Sequence, residues 1–279
     1  QFHPIIQEWF QSRFQGPTEA QAAGWPAIAQ GRHTLIAAPT GSGKTLAAFL
    51  TCIDKLVRQG LAGEIPDSTQ VVYVSPLKAL SNDIQKNLAT PLEEMRELAE
   101  EMGTPMPKIR TAVRTGDTKP SERQRMAKRP PHILITTPES LALTLAAKRF
   151  RPHYSQLSWL VIDEMHSLVP TKRGVHLALS LSLLDTIIET PVQRIGISAT
   201  MEPLEQVAGR VLGHSLDHLG HHGGRRQRDG APPALELRIG DQLIDGSVQT
   251  KLRRLSEAIQ SGGATTIREH FETYLEDTN

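Results

Sequence analysis

The segment that most constrains the fold is residues 34–58, where a short apolar run meets a glycine-rich turn and then a helical pattern. From Thr34 to Thr45 the chain reads TLIAAPTGSGKT, and an amphipathic helix is predicted over residues 45–58. Because the apolar run does not alternate with polar residues, it predicts a strand that is buried on both faces. A buried strand that leads directly into a helix predicts an α/β fold.

The same succession of strand and helix recurs between Gly31 and Leu212. The predicted strands are residues 34–38, 71–75, 109–113, 133–136, 160–163 and 194–198. The predicted helices are residues 45–58, 90–102, 120–128, 139–148 and 174–188. Strands that alternate with helices form βαβ units. The sequence therefore predicts an α/β domain over residues 1–212, with a mostly parallel sheet and helices on both faces.

The composition changes after Leu212. Residues 213–234 are rich in glycine, proline and histidine and lack apolar periodicity, which predicts a linker or loop. Residues 235–279 contain one candidate strand (235–239) and two candidate helices (248–259 and 265–275). A segment this short cannot readily build its own core, so we expect an incomplete C-terminal tail.

Overall charge and hydropathy exclude several classes of protein. Lysine and arginine number 31 against 30 acidic residues, so any nucleic-acid contact has to come from local patches. The apolar runs are shorter than the roughly 18 residues that span a bilayer, and residues 1–21 do not resemble a secretory leader. The single cysteine, Cys52, cannot form an internal disulfide. We therefore expect a cytoplasmic protein without a membrane partner.

The glycine-rich turn has the residues of a phosphate-binding loop. Glycines at 41 and 43 let backbone N–H groups approach phosphate oxygens, and the helix that follows directs its positive end to the same anion. Lys44 is expected to reach the β and γ phosphates, and the Thr45 hydroxyl is expected to bind Mg²⁺. Ala38 occupies the position where this motif usually begins with glycine. The predicted nucleotide-binding residues of the loop are Thr40, Gly41, Ser42, Gly43, Lys44 and Thr45.

A pair of acids follows the apolar run LSWLVI at residues 157–162. An Asp-Glu pair after a strand is by itself often the start of a solvated loop. Together with the phosphate loop, however, it predicts that Asp163 binds Mg²⁺ and that Glu164 orients or deprotonates the attacking water. Lys44, Asp163 and Glu164 are therefore the candidate catalytic residues of an ATP hydrolase.

Further motifs follow in a fixed order. They are PTEAQ with Pro17, Thr18 and Gln21, then SPLKAL at 75–80, RTGDT at 114–118, TTPESL at 136–141, DEMH at 163–166 and SAT at 198–200. In this order the sequence resembles the first RecA-like domain of superfamily 2 DExH-box helicases. SPLKAL, TTPESL and KRGVHLALSL at 172–181 are most similar to the Lhr-type DNA helicases, including ligase-associated ones. Met165 departs from the more usual isoleucine or valine.

The resemblance implies roles that the residues alone do not. Gln21 is expected to read adenine, and three loops on the sheet face away from the nucleotide loop are expected to grip one DNA strand by its backbone. The residues implied for that grip are Lys78, Arg114, Thr115, Gly116 and Thr137. The residues implied to couple nucleotide state to this grip are His166, Ser198 and Thr200. Thr137 and Thr118 also fit simple caps of the turns that follow them.

Three functions are compatible with these motifs. The first is an ATP-driven motor lobe on DNA, and the second is an ATP-dependent clamp, on DNA or RNA, that does not unwind. The third, an unrelated P-loop enzyme such as a small-molecule kinase, has no use for RTGDT or SAT. We see no second RecA-like lobe or arginine finger in the sequence, so we expect this chain alone to bind MgATP, to hydrolyse it slowly and not to unwind a duplex.

Overall fold

The computed structural model describes residues 2–76, 85–168 and 171–199, together with the backbone of two short strands beyond them. Its helices are α1 (Pro4–Arg13), α2 (Glu19–Ala29), α3 (Lys44–Leu61), α4 (Thr90–Glu101), α5 (Pro120–Lys128), α6 (Pro138–Ala146), α7 (Met165–Leu168) and α8 (Lys172–Asp185). Its strands are β1 (Thr34–Ala37), β2 (Val71–Val74), β3 (Thr111–Arg114), β4 (Ile133–Thr136), β5 (Trp159–Ile162), β6 (Gln193–Ser198), β7 (Arg238–Ile239) and β8 (Gln242–Leu243).

Strands β1 to β6 form one sheet in the order β1-β6-β5-β2-β4-β3, and every neighbouring pair is parallel. The α/β class and the parallel sheet predicted from the sequence are confirmed. Because all six strands run in the same direction, their carboxyl ends share one edge of the sheet. Parallel α/β sheets bind ligands outside these ends, so this edge is the place to look for a site.

The two faces of the sheet carry separate cores. Val71 and Tyr73 of β2 pack in a cluster with residues of α1, α3 and α4, whereas Val72 and Val74 pack with residues of α5, α6 and α8. Successive side chains of a strand point to opposite faces, so this division shows that helices cover both. Strands β2, β4 and β5 are buried along their whole length, as their uninterrupted apolar runs predict.

The helices and strands predicted between residues 34 and 198 match the structure to within three residues, and two of the differences have a visible local cause. The strand expected at residues 109–113 is β3 at Thr111–Arg114, because the Arg110 backbone N–H donates to Nδ1 of His132 instead of continuing the ladder. The helix expected at residues 174–188 is α8, which begins at Lys172 and ends at Asp185. It ends early because the chain tightens there, with the Thr186 N–H donating to the Leu183 carbonyl. A π-helical turn over Gln85–Ala89, not predicted, precedes α4.

The predicted linker (213–234) and tail (235–279) lie outside the described residues, except that β7 and β8 pair antiparallel. The candidate strand at 235–239 overlaps β7, and the candidate helices at 248–259 and 265–275 are not described. Within the part of the chain that is described, no helix has the length and apolar character needed to cross a membrane.

Candidate functional site

The loop between β1 and α3 depends on two glycines in the left-handed region. Gly41 has φ +83° and Gly43 has φ +79°, a conformation that other residues adopt only with strain. At Gly43 there is also no room for a side chain, because a Cβ would lie 2.5 Å from Nε2 of Gln21. The loop is therefore bare backbone at this point, as a phosphate cradle requires.

Helix α2 braces this loop through its first turn. Thr18 caps the helix in a capping box with Gln21, whose Oε1 accepts the Thr18 N–H at 3.0 Å. The Thr18 hydroxyl donates to the Ser42 carbonyl at 2.7 Å, and Nε2 of Gln21 donates to the Gly43 carbonyl at 3.3 Å. Thr18 and Gln21 of the PTEAQ motif thus contact the phosphate loop directly, and Gln21 is 3% exposed.

Lys44 is the first residue of α3 and is 7% exposed. Its Nζ donates to the Pro39 carbonyl at 2.9 Å, which folds the side chain back over the loop rather than into the core. The half-buried Thr45 follows it at the amino end of the helix. A cation, a hydroxyl and a helix amino end at one turn form an electropositive site that suits an anion.

Asp163 lies directly after β5 and is 2% exposed. Its Oδ2 accepts a hydrogen bond from the hydroxyl of Tyr73 on the neighbouring strand β2, and its Oδ1 accepts the Glu164 N–H at 2.8 Å. Glu164 itself has φ +52° and is the non-glycine residue described with positive φ. The carboxylate of Asp163 is therefore fixed from within the sheet, and the chain turns sharply at the next residue.

His166 connects the ends of β5 and β6. Its Nε2 lies 3.0 Å from Oε2 of Glu164, while its Nδ1 accepts the Ala199 N–H at 3.3 Å and lies 3.4 Å from the Ser198 hydroxyl. Because a backbone N–H donates to Nδ1, the proton of the neutral ring belongs on Nε2, which then donates to Glu164. The structure thus brings together His166 and Ser198, whereas Thr200 lies outside the described residues.

The donors at this edge fit Mg²⁺. One carboxylate (Asp163) and one hydroxyl (Thr45) are hard oxygen ligands, and Mg²⁺ in nucleotide sites takes one or two such groups with phosphates and water. In the described residues no group of three or more His, Cys, Asp or Glu residues forms a metal cluster. The donor set therefore suits a metal that arrives with a polyphosphate rather than a resident ion held by protein alone.

The loop after β3 is a closed turn. The Thr115 N–H donates to the Thr118 hydroxyl at 2.9 Å, and the guanidinium of Arg123 donates to the Gly116 carbonyl at 2.6 Å and to the Thr118 carbonyl at 2.7 Å. Arg114, at the end of β3, lies with its guanidinium 5.4 Å from the centre of the Phe150 ring. Burial lowers the pKa of Arg114 from its ordinary value, so this cation is partly withdrawn from solvent.

The loop after β4 holds Thr137, which is 4% exposed. Its hydroxyl accepts the Ser140 N–H at 3.3 Å, so it caps α6 as one of the two sequence interpretations predicts. Glu139, in the first turn of α6, forms an ion pair with Arg173 of α8. Lys78 lies outside the described residues.

The position of these loops differs from the one that the resemblance implied. They do not lie on a sheet face away from the nucleotide loop: they follow β3 and β4 at the same carboxyl edge, on the other half of the sheet. Five strand spacings separate β1 from β3, which corresponds to about 24 Å. The two predicted sites therefore lie along one edge, and strands β6, β5 and β2 separate the phosphate loop from the loop after β4.

Sequence reasoning missed three residues of this edge. Tyr73 falls in an apolar run where the alternation indicates only core packing, and nothing in the sequence shows that it faces Asp163. Arg123 is one of several cations on α5, so its contact with the 115–118 turn has no distinct signal. Arg173 does lie in the KRGVHLALSL segment, whose likeness to Lhr-type helicases was a signal that it has a special position.

A parallel sheet whose first strand passes through a glycine-rich loop into a helix, with an acidic pair at the end of β5, defines a P-loop domain. A family model described as "DEAD/DEAH box helicase" matches residues 18–207, and the chain belongs to this family. The predicted RecA-like fold and the predicted resemblance to Lhr-type helicases are both confirmed by the relatives and the solved structure described next.

Two curated relatives and one solved structure show the likeness in detail. The chain is 50% identical to the Lhr helicase/probable uracil glycosylase of Mycolicibacterium smegmatis over 214 residues, which is 77% of this chain and 14% of that protein. It is 43% identical to ATP-dependent helicase Lhr-Core protein 2 of Thermococcus barophilus over 270 residues, 97% of this chain and 31% of that protein. The structure of Mycobacterium smegmatis helicase Lhr bound to ssDNA and AMP-PNP matches with a TM-score of 0.68 and 50% identity, covering 75% of this chain and 26% of that one.

Proposed function

We propose that residues 1–212 form the ATP-binding motor lobe of a DNA helicase, which couples MgATP binding and hydrolysis to its grip on one strand. The observation that carries this proposal is the bridge made by His166. It joins Glu164 after β5 to Ser198 and Ala199 after β6, and the Ser198 carbonyl accepts the Ala38 N–H at the start of the phosphate loop at 3.1 Å. An acid, a histidine and a phosphate loop are therefore linked by hydrogen bonds across three adjacent strands.

Each residue has a distinct task in this proposal. The Lys44 ammonium leaves the Pro39 carbonyl and neutralises the β and γ phosphates, and the backbone of residues 40–43 donates to phosphate oxygens. Glu164 accepts the proton of a water whose oxygen attacks the γ-phosphorus, the bond to the β–γ bridging oxygen breaks, and ADP and phosphate leave. Asp163 and Thr45 would hold Mg²⁺, which neutralises charge on the phosphates.

The strand grip is proposed for the other half of the same edge. The hydroxyls of Thr115 and Thr137 and the Gly116 backbone lie in the loops after β3 and β4, and Arg114 and Lys78 would supply charge. Contacts of this kind position a phosphate backbone without reading bases, so binding should be independent of sequence and sensitive to salt. The ssDNA in the Mycobacterium smegmatis Lhr structure supports DNA as the nucleic acid.

A complete motor needs a second lobe. The chain spans 14% and 31% of the length of the two curated relatives, so the activity of a whole protein is proposed only for a longer chain. An arginine finger from a second lobe raises the hydrolysis rate by about 10³–10⁵-fold where it acts. We therefore expect the 279-residue chain to bind MgATP and ssDNA but to hydrolyse ATP slowly and not to unwind.

Turnover of ATP tests this proposal when it is measured without nucleic acid, with single-stranded DNA and with single-stranded RNA. The chain and a longer version that includes a second RecA-like lobe are compared. DNA-stimulated turnover in the longer version, lost in Glu164→Gln while nucleotide binding remains, is the expected result. Nucleic-acid binding and turnover without strand separation by the longer version would instead support the clamp function, and stimulation by RNA alone would contradict DNA as the substrate.

A further inference from the structure

An ion pair joins the strand-binding half of the edge to the segment that follows the acidic pair. Nε of Arg173 donates to Oε1 of Glu139 at 2.5 Å and Nη2 donates to Oε2 at 3.1 Å, a bidentate arrangement. Glu139 lies in the first turn of α6, two residues after Thr137, and Arg173 lies in the first turn of α8. The pair thus connects the amino ends of two helices that pack against each other in the same core cluster.

The side chains of Arg173 and Glu139 are 40% and 43% exposed, so geometry and charge rather than full burial make this contact specific. Burial alone would raise the pKa of Glu139, but the hydrogen bond and charge of Arg173, the backbone N–H of Glu139 and the Thr137 side chain lower it below its ordinary value. The Glu139 carboxylate is thus held in its charged form by a strand-loop residue on one side and by α8 on the other. Bidentate Arg–carboxylate geometry adds directional specificity that a lysine pair lacks.

From α8 a short series of hydrogen bonds leads back to Glu164. The Glu164 carbonyl accepts the Ser167 N–H at 2.8 Å and the Leu168 N–H at 3.2 Å. The Leu168 carbonyl in turn accepts the Thr171 hydroxyl at 2.6 Å and the Thr171 N–H at 3.1 Å. Because Arg173 follows Thr171 by two residues, we expect a rotation of the backbone at Glu164 to reach the guanidinium of Arg173 through this series.

Glu164 is a point at which such a rotation can occur. Its φ of +52° is in a sparsely populated region for a residue with a side chain, and such residues concentrate in switch segments. Its carboxylate contacts His166, which contacts the end of β6. A change in what Glu164 contacts therefore acts on a backbone that is held in a sparsely populated conformation.

We propose that Glu139 and Arg173 are positioning residues that couple the nucleotide site to the loop at residues 136–141. The proposal rests on the proposed function, because it assumes that the two halves of the edge bind nucleotide and strand. Glu139 and Arg173 thus have a role although they lie outside the phosphate loop, the acidic pair and the SAT segment. Both side chains lie outside the phosphate loop and the acidic pair, and they act through Thr137 and the chain after Glu164.

The test measures the affinity of the 279-residue chain for a fluorescent single-stranded DNA, with and without AMP-PNP and Mg²⁺, in wild type, Glu139→Gln and Arg173→Gln. For each protein, the ratio of the DNA affinity with AMP-PNP and Mg²⁺ to the DNA affinity without them is the coupling factor. This factor is typically about 5–150-fold between linked sites. We expect a factor in this range for wild type and a factor near one for both variants. Affinity for AMP-PNP alone should stay within about twofold of wild type, because neither residue lies in the phosphate loop or the acidic pair.

Two further variants separate coupling from a merely structural role. Asp185→Asn weakens another ion pair of α8, in which Nη2 of Arg194 lies 2.5 and 2.6 Å from the two Asp185 oxygens, and should leave the coupling factor unchanged. Glu139→Gln/Arg173→Gln should lose no more coupling than either single variant, since one interaction is removed in all three. Where Arg173→Gln does not fold, Arg173→Lys is measured in its place. It keeps the charge but loses the bidentate geometry, so its coupling factor should fall between the wild-type value and one.

The outcomes distinguish the two proposals. A wild-type coupling factor in the variants overturns the role of the ion pair and leaves the proposed function standing. Failure of wild type to bind either ligand, or binding of both ligands without coupling, overturns the proposed function together with it.

Discussion

The hydroxyl of Tyr73 on β2 donates a hydrogen bond to Oδ2 of Asp163 at the end of β5, inside the protein and between adjacent strands. The Tyr73 ring also stacks on Phe49 of α3, with ring centroids 4.6 Å apart. The candidate metal-binding carboxylate is thus held by a residue that belongs to the core and that is packed against the helix of the phosphate loop.

We predict that Tyr73→Phe keeps the stack on Phe49 but lowers the free energy of unfolding by about 1–3 kcal/mol, because a buried carboxylate loses a donor. It should also raise the Mg²⁺ concentration needed for tight AMP-PNP binding. Urea unfolding and a Mg²⁺ titration measure the two effects. Tyr154→Phe is the matched control, because that hydroxyl bonds the neutral Thr144 hydroxyl at 2.6 Å in the other core cluster. An unchanged Mg²⁺ requirement in Tyr73→Phe would show that the bond does not position Asp163.

The strands and the phosphate loop could be predicted because their signals are local. Continuous apolar runs define β2, β4 and β5, and the two positive-φ glycines before Lys44 are readable in TGSGK. Contacts between distant segments could not be predicted in this way. The bond from Tyr73 to Asp163 spans 90 residues, and the contact between Arg114 and Phe150 depends on how β3 packs on the chain after α6. Such partners follow from strand order, which the sequence pattern does not specify.

Thr137 should contribute to stability through its cap. Thr137→Ala removes the acceptor for the Ser140 N–H and should lower the free energy of unfolding by about 1 kcal/mol, whereas Thr137→Ser keeps an equivalent oxygen and should lose little. Chemical denaturation measures both. Equal loss of stability in the serine variant would show that the methyl group, not the cap, is what matters at this position.

Arg114 remains a predicted phosphate contact. Arg114→Ala should weaken single-stranded DNA binding to a similar degree for unrelated sequences and should reduce the salt slope of the binding constant by about one. Fluorescence anisotropy at several salt concentrations measures this, with Lys108→Ala, an exposed lysine before β3, as the control. A reduced affinity with an unchanged salt slope would mean that Arg114 acts by packing on Phe150 rather than by contacting a phosphate.

His132 should make the fold sensitive to mild acid. Burial, with the nearby charges of Arg110 and Arg129, lowers its pKa from 6.5 to about 4, and its Nδ1 accepts the Arg110 N–H at 3.2 Å. Below pH 6.5 the unfolded chain takes up a proton that the folded chain does not, so stability should fall as pH drops from 6.5 to about 4, by up to about 3 kcal/mol. His132→Asn keeps an acceptor and should flatten this part of the stability–pH curve. A curve of wild-type shape in the variant would assign the acid sensitivity to other groups.

The central claim, that the loop between β1 and α3 binds the phosphates of MgATP, is tested most directly by calorimetric titration of AMP-PNP and Mg²⁺ into the wild-type chain and Lys44→Ala. We predict saturable binding to one site in wild type and an affinity about 10–100-fold lower in Lys44→Ala, which is the loss expected when a charge-assisted hydrogen bond is removed. Thermal unfolding of the two proteins should be similar, because the Lys44 ammonium bonds a loop carbonyl rather than a core group. Equal affinity in the two proteins, or no binding by wild type, would contradict the claim.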